Sequence, residues 1–408
     1  MKRITEANAG FGVLLAFLVI PMSGLATDIY LPSLPAMAEN LHVTPHGVQF
    51  SLTLFLIGYG LGQLFVGNLL DSYGRYPILL ISLLLVGLSS EAIALTDSVA
   101  ALNALRLVQG LLVAVAVVAK RTFFVDVFDG HRLRRYLASV TIVWSMGPIV
   151  APFIGGYLQT GFGWRANFHF LALYAWAVLV LELWQGGETL REPHPFHIPS
   201  ILRRYRELMT HGPFMRGVIN VGLPYSSVLS FSMVAPFIIE HVYGMNPHVT
   251  GFASLAMGLA WMSGGFIARS QLHRPLSEKH GRAVTLMLLV SALMLAVSWR
   301  YANLYTLVAF AFLVHVTCGA VFNIYFSECL GMFPKFAGLS GGLTGGIAFM
   351  LTSMLSYAAV AGLHVQTQRG LAMVYLVFAL ALAGMWLWGR RPDPGAVAPR
   401  ADAALDRR

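Results

Sequence analysis

The sequence predicts an all-α integral membrane protein with twelve transmembrane helices in two pseudo-symmetric six-helix bundles. Its 408 residues are 57% hydrophobic and 11% charged, with a mean hydropathy of +0.69, which leaves too little polar surface for a soluble domain. The apolar residues fall into twelve runs of about 20, the length that spans a ~30 Å hydrocarbon core. One long polar segment divides the runs six and six, which indicates an internal duplication with a central site at mid-depth.

The twelve runs can be placed approximately from hydropathy alone. The first follows only Lys2 and Arg3 and lacks a small-residue cleavage site, so we expect a retained helix and not a signal peptide. The expected spans are 11–34, 47–67, 77–96, 100–122, 137–158, 165–185, 213–239, 248–270, 282–299, 304–327, 338–361 and 369–389.

The polar segment also sets the domain boundaries. We expect an N-terminal six-helix bundle at 1–185, a cytoplasmic linker at 186–212, a C-terminal six-helix bundle at 213–389 and a cytoplasmic tail at 390–408. Prolines at 193, 195 and 199 favour a partly extended linker with a short amphipathic helix at 201–209. His194, His197 and His211 could be metal ligands, but solvated linker histidines are the preferred interpretation, and no metal site is expected.

Basic residues predict which side each loop faces. The loops of one side carry only Arg165, Arg300 and Arg369, so the termini, on the other side, are expected to be cytoplasmic. The formal charge of +9 does not indicate nucleic acid, because the basic residues lie in membrane loops. Those on the cytoplasmic side are Lys2, Arg3, Arg75, Arg132, Arg134, Arg135, Arg203, Arg204, Arg206, Arg274, Lys279, Arg282, Lys335 and the tail from Arg390.

Several functional classes are disfavoured. The two cysteines, Cys318 and Cys329, offer neither a disulfide framework nor a metal spacing. The absence of a G-x-x-x-x-G-K-[ST] signature argues against ATP as the energy source. A membrane enzyme is disfavoured because no His, Asp or Cys constellation lies at the cytoplasmic surface, and a receptor because signalling does not explain a duplicated layout.

The most unusual residue is Asp28, a carboxylate within the first apolar run. A lone charge at membrane depth costs at least a few kcal/mol, so such a residue is usually aimed at an aqueous cavity and is paired or protonated. A titrating carboxylate there suggests proton coupling. The alternative is a solvated Asp28 at the outer mouth of the helix, beside the turn at Leu31 and Pro32.

Arg106 is a second charge within an apolar run, the fourth. An arginine keeps its charge, so within lipid it must find an anion, a carbonyl or water. At 1.5 Å per residue from about residue 100, Arg106 lies ~9 Å below the outer boundary, nearly level with Asp28. Equal depth permits a functional pair, although the sequence alone cannot show that the two side chains face each other.

The turn at 67–75 resembles the cytoplasmic signature G-x-x-x-D-x-x-G-R of the major facilitator superfamily. Gly74 allows a tight reversal, and Asp71 and Arg75 supply fixed charges at helix ends. The resemblance implies that Asp71 faces the end of the eleventh span and that Arg75 pairs with a carboxylate at the end of the fourth, for which Asp126 is the candidate. Together they would form a latch that holds the bundles closed inside; the alternative is that these charges only set topology.

Two further elements resemble the same superfamily. Arg106, Gln109 and Gly110 match its R-x-x-Q-G pattern, and the fifth span matches the G-P-x-x-x-P-x-x-G-G pattern of its drug antiporters. Small residues every four positions let another backbone approach closely, and prolines loosen the helix. In the superfamily these helices meet across the interface between bundles. The resemblance therefore implies that the fifth span lies there, as do the similar ladders at Gly58/Gly62 and Gly338/Gly342/Gly346; ordinary tight packing is the alternative. The fifth-span residues are Gly147, Pro148, Pro152, Gly155 and Gly156.

Finer features resemble the bicyclomycin-resistance (Bcr/CflA) branch of twelve-span drug:proton antiporters. They are the stretches at 28–32, 148–156, 163–165 and 332–338. Val125 departs from that branch, which commonly has an arginine there; Lys120 and Arg121 remain as nearby basic residues. Glu91 is an additional carboxylate, either a further coupling or substrate residue or a solvated one at the outer boundary.

The resemblance implies a proton-coupled transporter of the major facilitator fold that exports small amphipathic compounds by alternating access, with a proton gradient as the energy source and no cofactor. Asp28 would carry the proton and Arg106 would modulate its proton affinity. We expect a monomer in the bacterial inner membrane; the alternative is a dedicated exporter of an endogenous metabolite such as a siderophore. Candidate cavity residues are Tyr30, Tyr59, Gln109, Trp144, Tyr225 and His315, with Phe17, Phe55, Phe231, Phe310 and Asn323 as further candidates by depth.

Overall fold

A computed structural model describes residues 3–6, 9–190, 198–271, 273–333 and 337–389. Within these ranges the chain is nearly all helical and contains twelve long helices and one shorter helix, α7, which lies between the sixth and seventh spans. The helices are α1 (Gly10–Asn40), α2 (Pro45–Tyr73), α3 (Arg75–Leu95), α4 (Val99–Val127), α5 (Gly130–Phe162), α6 (Arg165–Gln185), α7 (Ile198–Thr210), α8 (Gly212–Val242), α9 (Pro247–Ser270), α10 (Leu276–Val297), α11 (Leu304–Met332), α12 (Ala337–Gly362) and α13 (Gln368–Gly389).

Eleven of the long helices in the described ranges have the length and apolar composition to cross a membrane. The twelfth is α5, whose 33 residues begin with a basic segment and contain Pro148 and Pro152. Residues 137–162, after the basic segment, are mostly apolar and contain no Asp, Glu, Lys or Arg, so α5 also has the composition of a membrane span. It packs between α1 and α9 as a full member of its bundle.

The same packing pattern occurs in both halves. In the first half α2 packs on α4, α3 on α6 and α1 on α5; in the second α9 packs on α11, α10 on α13 and α8 on α12. Glycines form the tightest contacts, because a Cβ at Gly58 would overlap the carbonyl of Leu107, and one at Gly264 would overlap that of Val316. The predicted fold class, two pseudo-symmetric six-helix bundles, is confirmed.

Helix α1 is broken at the level of Asp28. It comprises α-helical segments Gly10–Val19, Met22–Asp28 and Leu34–Asn40, with a 3-10 turn at Leu31–Ser33. Pro32 has no N–H to donate to the carbonyl of Asp28, four residues earlier, so the α-helical ladder cannot continue through this point. The break therefore places Asp28 at the end of a helical segment in the interior of the protein.

The bundles meet along two helix pairs, α2 with α12 and α5 with α9. In the first pair, a Cβ built on Gly60 would lie 2.6 Å from the carbonyl oxygen of Gly346, and one on Gly346 would lie 2.8 Å from that of Gly60. In the second pair, a Cβ on Gly251 would lie 2.8 Å from the carbonyl oxygen of Pro152. Backbone therefore contacts backbone in both helix pairs.

The small-residue face of α5 packs against α1, so the expectation that it faces the other bundle was wrong. A Cβ on Gly147 would lie 2.7 Å from the carbonyl oxygen of Pro21, and one on Gly155 would overlap that of Ile29. Both neighbours belong to α1, so this face packs inside the N-terminal bundle. Gly156, about 100° further round the helix, faces α9 instead, and a Cβ there would lie 3.0 Å from Cα of His248.

Gly58 and Gly62 were also expected at the interface between bundles, and they also lie inside the first bundle. Both lie against α4 of their own bundle, and Gly60 between them faces the other bundle. On the partner helix, a Cβ on Gly342 would lie 3.2 Å from the carbonyl oxygen of Gln63. Gly342 and Gly346 of the α12 ladder thus face the other bundle as expected.

Helix α7 bridges the two bundles, and it covers the amphipathic segment predicted at 201–209. The hydroxyl of Tyr205 donates to the carbonyl of Leu64 in α2, while Leu208 packs with Phe214 and Leu343 of the second bundle. His211 accepts a hydrogen bond from the backbone N–H of Phe214 at 3.3 Å and so caps α8. His194, His197, Lys335 and the tail at 390–408 lie outside the described residues.

Candidate functional site

An interior cavity opens between the bundles where five helices meet. Helices α1 and α5 contribute from the first half, and α8, α9 and α11 from the second. Its volume is about 70 Å³, well below the roughly 300–1,000 Å³ of a pocket for a drug-sized ligand. A transported compound of that size therefore requires a more open arrangement of the bundles. The lining residues are Asp28, Leu31, Trp144, Pro148, Ile149, Pro152, Tyr225, Val228, Leu229, Phe231, Ser232, Ser254, Met257, Gly258, Trp261 and His315.

Asp28 is the charged residue of this lining. It is 8% exposed, which excludes the alternative of a solvated carboxylate at the mouth of α1. Among the described residues it has no hydrogen-bond or ion-pair partner. Asp126 and Glu182, two other carboxylates of the same bundle, are paired with basic residues. Both of its oxygens are thus available to a proton or to a ligand in the cavity.

Arg106 lies beside Asp28 but makes no direct ion pair with it. Its guanidinium donates to the carbonyl of Ala26 at 3.1 Å and to the side chain of Gln109. It also stacks between the rings of Tyr30 and Phe55, at 4.5 and 4.2 Å from their centroids. The positive charge is therefore held in place by a carbonyl and two aromatic faces. The carbonyl belongs to Ala26, two residues before Asp28 in α1.

Arg106 keeps unused hydrogen-bonding capacity. It is fully buried, and its Nε and Nη2 atoms have no hydrogen-bond partner among the described residues. An orphaned donor on a buried charged group is costly, so both atoms are available to a water molecule or to a ligand group. The expected equal depth of Asp28 and Arg106 agrees with this placement.

Three of the six candidate cavity residues line the cavity, and three do not. Trp144, Tyr225 and His315 line it, and Trp144 donates from its indole to Ser23 at 3.1 Å. Tyr30 and Gln109 instead surround Arg106, and the Gln109 amide donates to Ser90 at 2.7 Å. Tyr59 lies between the bundles, with its ring 5.2 Å from that of Phe349. Depth in the membrane could not distinguish the cavity-lining residues from the others, because the two groups differ in the side of the helix on which they lie.

The charged turn at 67–75 is part of a charge network. Arg75 pairs with Asp71 at 2.8 Å and with Asp126, whose Oδ2 also accepts from Thr189 at 2.8 Å. Gly74 adopts φ 92°, a left-handed backbone region that favours glycine, and a Cβ there would lie 2.8 Å from the carboxylate of Glu188. The Arg75–Asp126 pair joins α3 to α4 within one bundle, so it does not itself connect the two bundles as the latch interpretation expects.

Glu188 completes this network from the linker. Its carboxylate accepts hydrogen bonds from the backbone N–H groups of Arg75 and Tyr76, at 3.2 and 3.1 Å. Arg75 and Tyr76 are the first two residues of α3. A carboxylate at a helix N-terminus satisfies free donors and opposes the helix dipole. The start of the linker is thus fastened to the charged turn of the first bundle.

Two ion pairs were not anticipated from the sequence. Lys120 pairs with Glu182 in the interior of the first bundle at 2.5 Å, and His169 contacts Glu91 at 2.9 Å nearer the surface. Lys120 and Glu182 are opposite charges inside separate apolar runs, and that signal could have found them. Glu91, half-buried against α6, does not line the cavity.

Gly163, Trp164 and Arg165 close the predicted outer end of the first bundle. Gly163 adopts φ 81° between α5 and α6. Arg165 donates to Asn40 at 2.9 Å and pairs with Asp97, which connects the end of α1 and the loop between α3 and α4 to α6. These contacts lie at the end of the bundle remote from the charged turn.

Comparison with known proteins agrees with this architecture. The sequence profile of the Major Facilitator Superfamily matches residues 16–357. An uncharacterized MFS-type transporter of Bacillus subtilis, YdgK, is 31% identical over 84% of this chain and 86% of its own length. A crystal structure of a D-xylose-proton symporter has a TM-score of 0.74 at 15% identity, covering 93% of this chain and 97% of that one, and so shows the shared fold.

Two relatives carry names that refer to drug resistance. Multidrug resistance protein D of Escherichia coli is 26% identical over 95% of this chain and 97% of its own length. A bicyclomycin resistance protein homolog of Haemophilus influenzae is 30% identical over 55% of this chain and 57% of its own length.

Proposed function

Since the chain belongs to the major facilitator superfamily, which makes it a multi-pass membrane transporter and not an enzyme, we propose that it is a proton-coupled exporter of small amphipathic compounds. The observation that carries the proposal is the carboxylate of Asp28, which is buried, unpaired among the described residues and open to the cavity between the bundles. A carboxylate at membrane depth that faces such a cavity is suited to bind and release a proton.

The lining of the cavity supports an amphipathic substrate. Trp144, Tyr225, Phe231 and Trp261 surround a small number of polar groups, the usual composition of a small-molecule site. The names of the drug-resistance relatives support the same substrate class. Binding of the compound and protonation of Asp28 would then compete or alternate within one site.

Contacts between the bundles support alternating access. At the predicted outer end, the amide of Gln49 in α2 donates to the carbonyl of Met233 in α8 at 2.8 Å, and His241 lies 3.3 Å from Glu39 of α1. These contacts would have to break for the cavity to open outward. The remaining expectations also belong to the proposal: a bacterial inner membrane, cytoplasmic termini, a monomer and no cofactor.

Purified protein in proteoliposomes tests the proposal directly. The vesicles contain a pH-sensitive dye, and rhodamine 6G is the transported compound. The parent protein should couple an imposed pH gradient to movement of rhodamine 6G. Asp28→Asn should abolish this coupling while the protein still folds. Glu91→Gln, which alters a membrane carboxylate outside the cavity, is the matched control and should transport normally. Undiminished coupling in Asp28→Asn would refute the role of Asp28, and absence of any dye movement in the parent protein would refute the proposed export.

A further inference from the structure

His315 faces Asp28's cavity from the opposite bundle. It lies in α11, is 1% exposed and lines the cavity, with its ring 5.4 Å from that of Phe231. Its Nδ1 lies 2.8 Å from the carbonyl oxygen of Ala311, one turn earlier. Its Nε2 is buried and has no hydrogen-bond partner among the described residues.

The contact of Nδ1 fixes the chemistry of Nε2. A carbonyl oxygen can only accept, so Nδ1 carries a hydrogen and donates it to Ala311. In a neutral imidazole the other nitrogen then has no hydrogen and can only accept. The second bundle therefore presents a buried hydrogen-bond acceptor to the cavity, and it does so from a ring held in place by its own helix.

We propose that Nε2 of His315 anchors the transported compound to the second bundle by accepting a hydrogen bond from an N–H or O–H group of that compound. The inference rests on the proposed export function and adds a chemical requirement for the substrate. A buried acceptor left without a donor is costly, so a compound that lacks a donor forfeits affinity at this position. The preferred substrates are therefore apolar, aromatic compounds with at least one donor group.

The serine hydroxyls of the lining do not impose the same requirement. Ser232 and Ser254 can donate as well as accept, so they tolerate either kind of ligand group. Ionised Asp28, on the first bundle, shares with neutral His315 the property of accepting only. A compound with donors at two ends could thus contact both bundles at once, and His315 would decide how well it is held on the second.

Two fluorescent dyes of similar size and equal charge provide the test. Rhodamine 6G carries N–H groups on its amines, whereas tetramethylrhodamine ethyl ester has none. Binding to the purified full-length protein is followed by fluorescence anisotropy. The parent protein should prefer rhodamine 6G, and His315→Leu should weaken rhodamine 6G binding by about tenfold while leaving the other dye unchanged, since only the first loses a hydrogen-bond partner.

Two further variants make the result specific. His315→Gln retains a neutral acceptor and should keep the preference. Tyr375→Phe removes a buried hydroxyl from a ring 6.5 Å from that of His315 but outside the cavity lining, and should change neither affinity.

Each outcome decides the matter. Equal loss for both dyes in His315→Leu, or no loss for either, would overturn the role of His315 and leave the proposed export intact. If His315→Leu does not fold, a parent protein that binds both dyes equally would overturn it as well. Binding of neither dye to the parent protein would instead contradict the proposed function on which the inference rests.

Discussion

Lys120 and Glu182 form an ion pair inside the N-terminal bundle. The Nζ and Oε1 atoms are 2.5 Å apart, and the two side chains are 4% and 0% exposed. The pair joins α4 to α6, and the second oxygen of Glu182 has no hydrogen-bond partner among the described residues. Two charges here are tolerated only because each neutralises the other.

The pair predicts an asymmetry between single and double substitutions. Glu182→Gln should lower the free energy of unfolding by about 3–5 kcal/mol, because it leaves the Lys120 ammonium buried without a counter-ion. The double variant Lys120→Met, Glu182→Leu should recover most of this loss. Thermal unfolding in detergent measures both, with Glu91→Gln, a half-exposed pair member, as the control that changes stability by less than about 1 kcal/mol. A double variant as unstable as the single one would disprove this account.

The Arg75–Asp126 pair predicts a charge-swap rescue. Arg75→Asp should impair transport because it places four carboxylates, at positions 71, 75, 126 and 188, in one partly buried network. Adding Asp126→Arg should restore part of the activity, since the pair is remade in reverse. Arg132→Asp breaks an exposed pair with Glu6 and should have little effect. If the swap restores nothing although both proteins are well expressed, the pair is not functionally coupled.

Gly156 and Gly155 are neighbours in sequence but predict different phenotypes. Leucine at Gly156 would push against α9 of the other bundle, near the predicted outer end, and should shift the protein towards an outward-open state. Leucine at Gly155 would push against α1 of the same bundle and should lower stability instead. Added volume at a packed contact costs about 1–3 kcal/mol, enough to change a two-state ratio severalfold or more.

Spin labels on the loops of both faces would record the state distribution of these two variants. An unchanged distribution in Gly156→Leu together with normal transport would show that the α5–α9 contact is not remade during the cycle. Leu158→Ala, which only removes volume nearby, is expected to be nearly silent in both measurements.

We expect lysine to be a poor replacement for Arg106. Arg106→Lys keeps the charge but loses the planar group that donates to Ala26 and Gln109 while stacking between Tyr30 and Phe55. Transport should fall by about tenfold or more, with a smaller change in thermal stability than in Arg106→Ala. Transport by the lysine variant at the rate of the parent protein would show that only charge is required at this position.

The sequence could predict the charges and the helices, but not every helix face. Asp28 and Arg106 stood out because a charge in an apolar run is costly wherever the helix points. Gly155 was assigned to the wrong neighbour because spacing defines a face and does not say which helix covers it; one residue, or about 100°, separates the two bundles here. Lys120 and Glu182 also carry charges inside apolar runs, but pairing them required knowledge that α4 and α6 lie side by side, which no local pattern supplies.

The composition of the cavity lining has an electrical consequence. Asp28 is the one carboxylate among the described residues of that lining, so the proposed cycle exchanges a single proton. Export of a monovalent cation against one proton would move no net charge, and only the pH difference, worth about 1.4 kcal/mol per unit, would drive it. Export of a neutral compound would carry one positive charge inward, and the membrane potential would add about 2.3 kcal/mol per 100 mV. Collapse of the potential with valinomycin and potassium should therefore leave export of rhodamine 6G unchanged and slow that of an uncharged substrate.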